Sequence, residues 1–159
     1  MAQNITQLLS EVIDANKSTI VNVRHDIHRH PELSLQEFRT TEIIRSQLIS
    51  SGWELLPCPT QTGAVAIFRG SRPGKRVLIR ADIDALPVQE ESGVSYTSTV
   101  NGVMHACGHD VHTAALLSIV EALSRVGNDF SGEIVALFQP AEEGLSGAKT
   151  MIEGGLLEN

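Results

Sequence analysis

Cysteine is scarce in this 159-residue chain: Cys58 and Cys107 are the only two. Two thiols do not make the disulfide framework of a small secreted domain, so an ordinary hydrophobic core has to carry the fold. Basic residues are outnumbered, with 12 Lys and Arg against 19 Asp and Glu, for a net charge of −7. That balance argues against nucleic acid or an anionic membrane as a partner, because both need a basic face. Long apolar runs are missing too. The most apolar region, Ala114 to Leu123, holds Ser118 and Glu121 and is too short to span a bilayer. Met1 to Glu11 lacks the basic start and unbroken apolar centre of a signal peptide. A cytoplasmic setting is the default reading, in a chain about one domain long. Repeats, low-complexity tracts and an interdomain linker are also absent.

What is present is concentrated in one stretch, Met104-His-Ala-Cys-Gly-His-Asp-Val-His-Thr113, with three histidines, a cysteine and an aspartate in ten positions. Imidazole and thiolate are ligands that zinc and its neighbours prefer. The Cys107-x-His109 step lets both side chains turn toward one point, with Gly108 supplying freedom in the bend. Asp110 is placed to cap the helix that follows.

Earlier in the chain, apolar residues from Leu8 to Ile27 recur at spacings of three and four and predict a helix from Ile5 to about His30, ended by Pro31. The histidines of its tail, His25, His28 and His30, read as basic groups suited to a helix end rather than as ligands. Ser34-Leu-Gln-Glu37 reads as a capping box opening a second helix to about Ser50, with Phe38, Thr41, Ile44 and Leu48 as its buried stripe and Gly52 at its end. Cys58 reads as incidental. Gly63–Phe68 and Lys75–Ala81 read as strands joined by a Ser-Arg-Pro-Gly turn. The second runs into Asp82-Ile-Asp84, two carboxylates on one side of an extended chain. Glu90 to Gly102 is polar and predicts a loop folded over the motif cluster. A buried helix from Asp110 to about Arg125 and a buried strand from Gly132 to Gln139 follow. The strand leads into Pro140-Ala-Glu142-Glu143-Gly144, and a short helix from Leu145 to about Glu153 closes the pattern.

Alternating helices and strands predict a three-layer α/β sandwich with a mixed, largely parallel sheet, incomplete at the C-terminus. Sites in such folds form at the carboxyl ends of strands. Asp82/Asp84 and Glu142/Glu143 each follow a strand directly, and Cys107/His109 precedes a helix. Three signals thus converge on one edge of the sheet.

Arg80-Ala-Asp-Ile-Asp-Ala-Leu-Pro, Met104-His-Ala-Cys-Gly-His-Asp-Val-His-Thr-Ala and Phe138-Gln-Pro-Ala-Glu-Glu-Gly, in this order, resemble the metal-dependent amidohydrolases related to aminoacylase. That group includes hippurate hydrolases, N-acetyl-diaminopimelate deacetylases and hydrolases of indole-acetyl amino-acid conjugates. The resemblance begins at His28-Arg-His-Pro-Glu-Leu-Ser and covers nearly the whole chain. It implies that Cys107, His109 and Glu143 ligate metal, with His109 at the position that bridges two ions. It also implies that Glu142 is the general base and that Asp84 orients a ligand. Asp82 stands where wider relatives carry a liganding histidine, and Asp82, Asp110 and His112 are candidates to support the ligands. The implied cofactor is a pair of divalent ions, with Zn, Mn, Co and Ni all compatible. The implied substrate is an N-acyl amino acid or peptide conjugate.

Family members are more than twice as long, with an inserted dimerisation and lid domain and further ligands beyond the Glu-Glu motif. Residues 1–159 therefore read as the N-terminal part of the catalytic domain, expected to bind metal weakly and turn over little alone. Homodimerisation is expected only with the inserted domain. Two rivals remain: a thiol hydrolase with Cys107 as nucleophile, and a non-catalytic metal-binding or partner-binding module.

Overall fold

The computed structural model describes residues 5–144 and 146–158. Helix α1 spans Ile5–Arg29 and α2 spans Phe38–Ser50. Strands β1 (Glu54–Leu56), β2 (Ala64–Arg69) and β3 (Arg72–Asp82) follow. Then come α3 (His109–Val126), β4 (Ser131–Gln139) and α4 (Gly147–Glu153). The four strands form one sheet in the order β1-β2-β4-β3.

Alternation along β2 and β4 sorts the core onto two faces. Ala64, Ala66, Ala81, Ala136 and Phe138 face one way and pack with Ile44 and Leu48 of α2, Trp53, and Leu116, Leu117 and Val120 of α3. Four alanines on this face leave room for α3 to lie close to the sheet. Val65, Ile67, Val135 and Leu137 face the other way, against Met151 of α4. The three-layer arrangement is therefore present. Trp53 is fixed in the first layer by its indole N–H, which donates to Ser124 Oγ at 3.0 Å and the Val120 carbonyl at 3.3 Å.

The sheet is mixed, but parallel pairing is confined to β3 and β4; β1–β2 and β2–β4 are antiparallel. The Ser-Arg-Pro-Gly turn is not where the sequence predicts it. Arg72, Pro73 and Gly74 belong to β3, and β4 lies between β2 and β3. A proline is tolerated there because β3 is an outer strand. Strand β1 was not foreseen; its three residues carry no alternation to read. Among the described residues β3 pairs with β4 alone, and Val77 and Leu78 are exposed along it.

The capping box does not form. Neither Ser34 nor Glu37 caps α2; the Glu32 carboxylate does, accepting from the Arg39 N–H at 2.9 Å and the Thr40 N–H at 2.8 Å. Phe38 is exposed, and Glu37 is completely buried. Thr41, Ile44 and Leu48 are buried as predicted, and Gly52 ends the turn after α2 at φ +77°. The last helix begins at Gly147; the predicted start at Leu145 lies outside the described residues.

The parallel β3–β4 register sets the site. Asp82 pairs with Gln139, so both strands end at the same edge. The first residue of antiparallel β2, Ala64, pairs with Phe138 and brings Thr62 and Gly63 to that edge as well.

Candidate metal centre

Three segments meet above this edge: Asp82–Asp84 after β3, Cys107–His112 at the start of α3, and Glu142–Glu143 after β4. The sulfur of Cys107, a ring nitrogen of His109 and a carboxylate oxygen of Glu143 all lie within 4.8 Å of one another. Asp82, His109 and His112 form a second such group, sharing His109.

His109 is the pivot. Its Nδ1 lies 2.9 Å from the Asp84 carbonyl oxygen and 3.2 Å from Asp84 Oδ1. That fixes Nδ1 as the protonated nitrogen, because both partners are acceptors. Nε2 is left facing Asp82 Oδ1 at 3.6 Å and Glu143 Oε1 at 3.8 Å. One open nitrogen binds one ion, so this geometry does not support the bridging position that the resemblance implies for His109. His112 Nδ1 donates to Asp82 Oδ1 at 2.6 Å.

Asp84 is the organiser. Its Oδ2 accepts from Ser34 Oγ at 2.7 Å and from the Glu143 N–H at 3.0 Å. Burial alone would raise its pKa, but the bonds from His109, Glu143 and Ser34 lower it to about 2. Asp84 is therefore an anion at every working pH.

The surroundings call for positive charge. The Glu143 carboxylate close to the exposed Cys107 thiol raises the pKa of that thiol; some desolvation and the charges of Glu142 and Asp82 add to this. Burial disfavours protonation of His109, yet Asp84 and Asp82 raise its pKa overall. Donor atoms around one zinc-sized ion stand about 3.5 Å apart, given bonds of about 2.0–2.3 Å. Thiolate, imidazole and carboxylate at this spacing, in a negative field, fit a divalent ion. Glu142 is exposed beside them.

Asp110 does not cap α3, whose first turn follows Gly108 in a left-handed conformation. Its buried carboxylate instead accepts from Arg24 Nε at 2.8 Å and lies 2.9 Å from His28 Nδ1. The other nitrogen of His28 is 3.1 Å from Glu90 Oε1. His28 is thus a buried link between α1, the start of α3 and the loop after β3, not a basic group at a helix end. Glu90 also accepts from Ser92 Oγ and from the Ser98 N–H at 2.6 Å, and Tyr96 stacks on His25 at 3.8 Å. The loop therefore does fold over the motif cluster. His105 is buried, neither ring nitrogen has a partner among the described residues, and burial lowers its pKa to about 4.

Sequence reasoning missed His28, Ser34, Glu37 and Glu90. Ser34 and Glu37 had a helix-start pattern that hid their use; Glu90 had no local signal at all.

A family profile for peptidase family M20/M25/M40 matches residues 78–159. The chain is 42% identical to an N-acetyl-L-cysteine deacetylase of Bacillus subtilis, covering 98% of this chain and 38% of that protein. It is 43% identical to an N-acyl-L-amino acid amidohydrolase of Geobacillus stearothermophilus, covering 94% and 41%. Its structure matches that of a Bacillus subtilis dinuclear metal binding peptidase from the M20 family with a TM-score of 0.86. That match has 42% identity and covers 91% of this chain and 40% of that one. The chain spans about two-fifths of the length of these relatives. With the motif order, the fold and the clustered donors all in agreement, the chain belongs to peptidase family M20/M25/M40.

Proposed function

We propose that this chain supplies the water-activating half of a metal-dependent amidohydrolase acting on N-acyl amino acids. Cys107, His109 and Glu143 would hold one divalent ion, and Asp82 with His112 would contribute toward a second. Bound divalent ions acidify a water and polarise an acyl carbonyl. The convergence of Cys107, His109 and Glu143 on one point, with the free carboxylate of Glu142 alongside, carries the reading.

Each residue has a task set by its surroundings. Asp84, ionised and held by Ser34, keeps His109 in the tautomer whose Nε2 is a lone-pair donor. Asp84 also ties down the backbone of Glu143. Glu142, whose carboxylate has no ion-pair partner among the described residues, takes the proton of the attacking water and hands it to the leaving amine. The relatives' names, a deacetylase and an N-acyl amino acid amidohydrolase, support this substrate class. Their greater length supports reading residues 1–159 as the N-terminal part of a catalytic domain whose lid, dimer contact and remaining ligands lie elsewhere.

A thiol hydrolase is disfavoured. A nucleophilic cysteine needs a lowered pKa and a base beside it, whereas Cys107 faces the Glu143 carboxylate and its pKa is raised.

The test is hydrolysis of N-acetyl amino acids by the intact protein after chelation, with and without added zinc or manganese. Activity that chelation removes and metal restores, and that Glu142→Gln abolishes without loss of bound metal, supports the reading. Activity insensitive to chelation but lost on alkylation of Cys107 would replace it with the thiol mechanism.

A further inference from the structure

We propose that Glu37 is a positioning residue whose buried carboxylate, acting with Asp84, clamps the backbone on both sides of Glu142. The inference rests on the roles proposed for Glu142 and Glu143. Glu37 is completely buried. Its Oε1 accepts from the Ala141 N–H at 2.8 Å, and its Oε2 accepts from Thr62 Oγ1 at 2.7 Å. On the far side of Glu142, the Glu143 N–H donates to Asp84 Oδ2 at 3.0 Å. Two carboxylates from distant parts of the chain thus hold the amides that flank the proposed base.

The turn between them is strained. Ala141 is buried and left-handed at φ +53°, a conformation that alanine rarely adopts. Its carbonyl accepts from Gly147 N at 2.9 Å. Gly147 itself has no room for a side chain, since a Cβ there would stand 1.8 Å from the Pro140 carbonyl oxygen. Left to itself the segment after β4 would relax into ordinary backbone and carry both glutamates away from Cys107 and His109. The Glu37 bond opposes that relaxation at the strained residue. A charge at a fully buried position is costly, and filling space against α2 would not require one. Holding an amide in a fixed place does.

The experiment compares Glu37→Gln, Glu37→Ala and the double variant Glu37→Ala with Ala141→Gly in the intact protein. Each variant is first shown to unfold cooperatively. Two readouts are taken: hydrogen exchange at the Ala141 amide in metal-free protein, and zinc affinity by competition with a chromophoric chelator. Glu37→Ala is expected to speed the exchange and weaken zinc binding by about tenfold or more, as loss of a buried supporting acceptor does. Glu37→Gln keeps an oxygen for Ala141 and turns its NH2 toward Thr62, so both readouts stay within a few-fold of the parent. Adding Ala141→Gly restores part of the zinc affinity, because glycine takes the left-handed conformation freely. A purely space-filling Glu37 would gain nothing from that change. If Glu37→Ala does not fold, Glu37→Met fills the volume without an acceptor and carries the same expectation. Unchanged exchange in the Ala or Met variant overturns the proposal, and so does a double variant with no recovery. If the parent itself binds no zinc, the metal reading fails, and exchange at Ala141 still decides the clamp.

Discussion

His109 and Asp84 are joined twice: Nδ1 of the ring meets both the carbonyl oxygen and the carboxylate of the same aspartate, at 2.9 and 3.2 Å. A backbone and a side-chain acceptor on one residue fix both the tilt and the tautomer of the ring. The same carboxylate takes the Glu143 N–H, so the loop after β3, the start of α3 and the turn after β4 are tied through one residue.

Asp84→Asn should therefore disturb the site without touching an ion directly. An amide presents one oxygen, so either the His109 N–H or the Glu143 N–H is left facing an NH2 group. Zinc affinity is expected to fall by about 10–100-fold, read by chelator competition, with the cooperative unfolding transition retained.

Glu143→Gln should move two readouts in opposite directions. Removing the carboxylate removes the main cause of the raised Cys107 pKa, so alkylation of Cys107 in metal-free protein at neutral pH becomes faster. Zinc binding becomes weaker, because an anionic donor is replaced by a neutral amide oxygen. Peptide mapping separates Cys107 from Cys58, the other free thiol.

Glu142→Gln should leave zinc affinity within a few-fold of the parent and reduce kcat by about 10²–10⁴, the usual weight of a general base. Equal losses in binding and turnover would assign Glu142 to the ligands instead.

His105 gives a pH dependence of stability. Burial lowers its folded pKa to about 4 from an ordinary 6.5, so the unfolded chain binds the extra proton first as pH falls. The native state then loses stability between about pH 6.5 and 4, by about 3 kcal/mol for that shift, and no further below. His105→Phe should flatten this limb in urea unfolding of metal-free protein measured across that range.

Much of this was legible in the sequence because the relevant signals are local. Cys107-x-His109, Asp82-x-Asp84 and Glu142-Glu143 each sit where a strand ends or a helix starts, and the β3–β4 register brings those ends together. What the sequence hid is long-range. Glu37 mimics a capping residue, yet it bonds Ala141, 104 positions later. His28 has the setting of a helix-end histidine, and only the folded chain puts Asp110 and Glu90 on its two nitrogens. The crossing of β4 between β2 and β3 was equally out of reach, because alternation gives a strand its faces and not its neighbours.

The most direct test of the proposed metal centre is the absorption spectrum of the intact protein titrated with cobalt(II). Joint ligation by Cys107, His109 and Glu143 is expected to give a thiolate-to-cobalt charge-transfer band that saturates with the ion and is lost in Cys107→Ser. Cobalt that binds with no such band, or with a band unchanged in Cys107→Ser, would contradict the proposed centre.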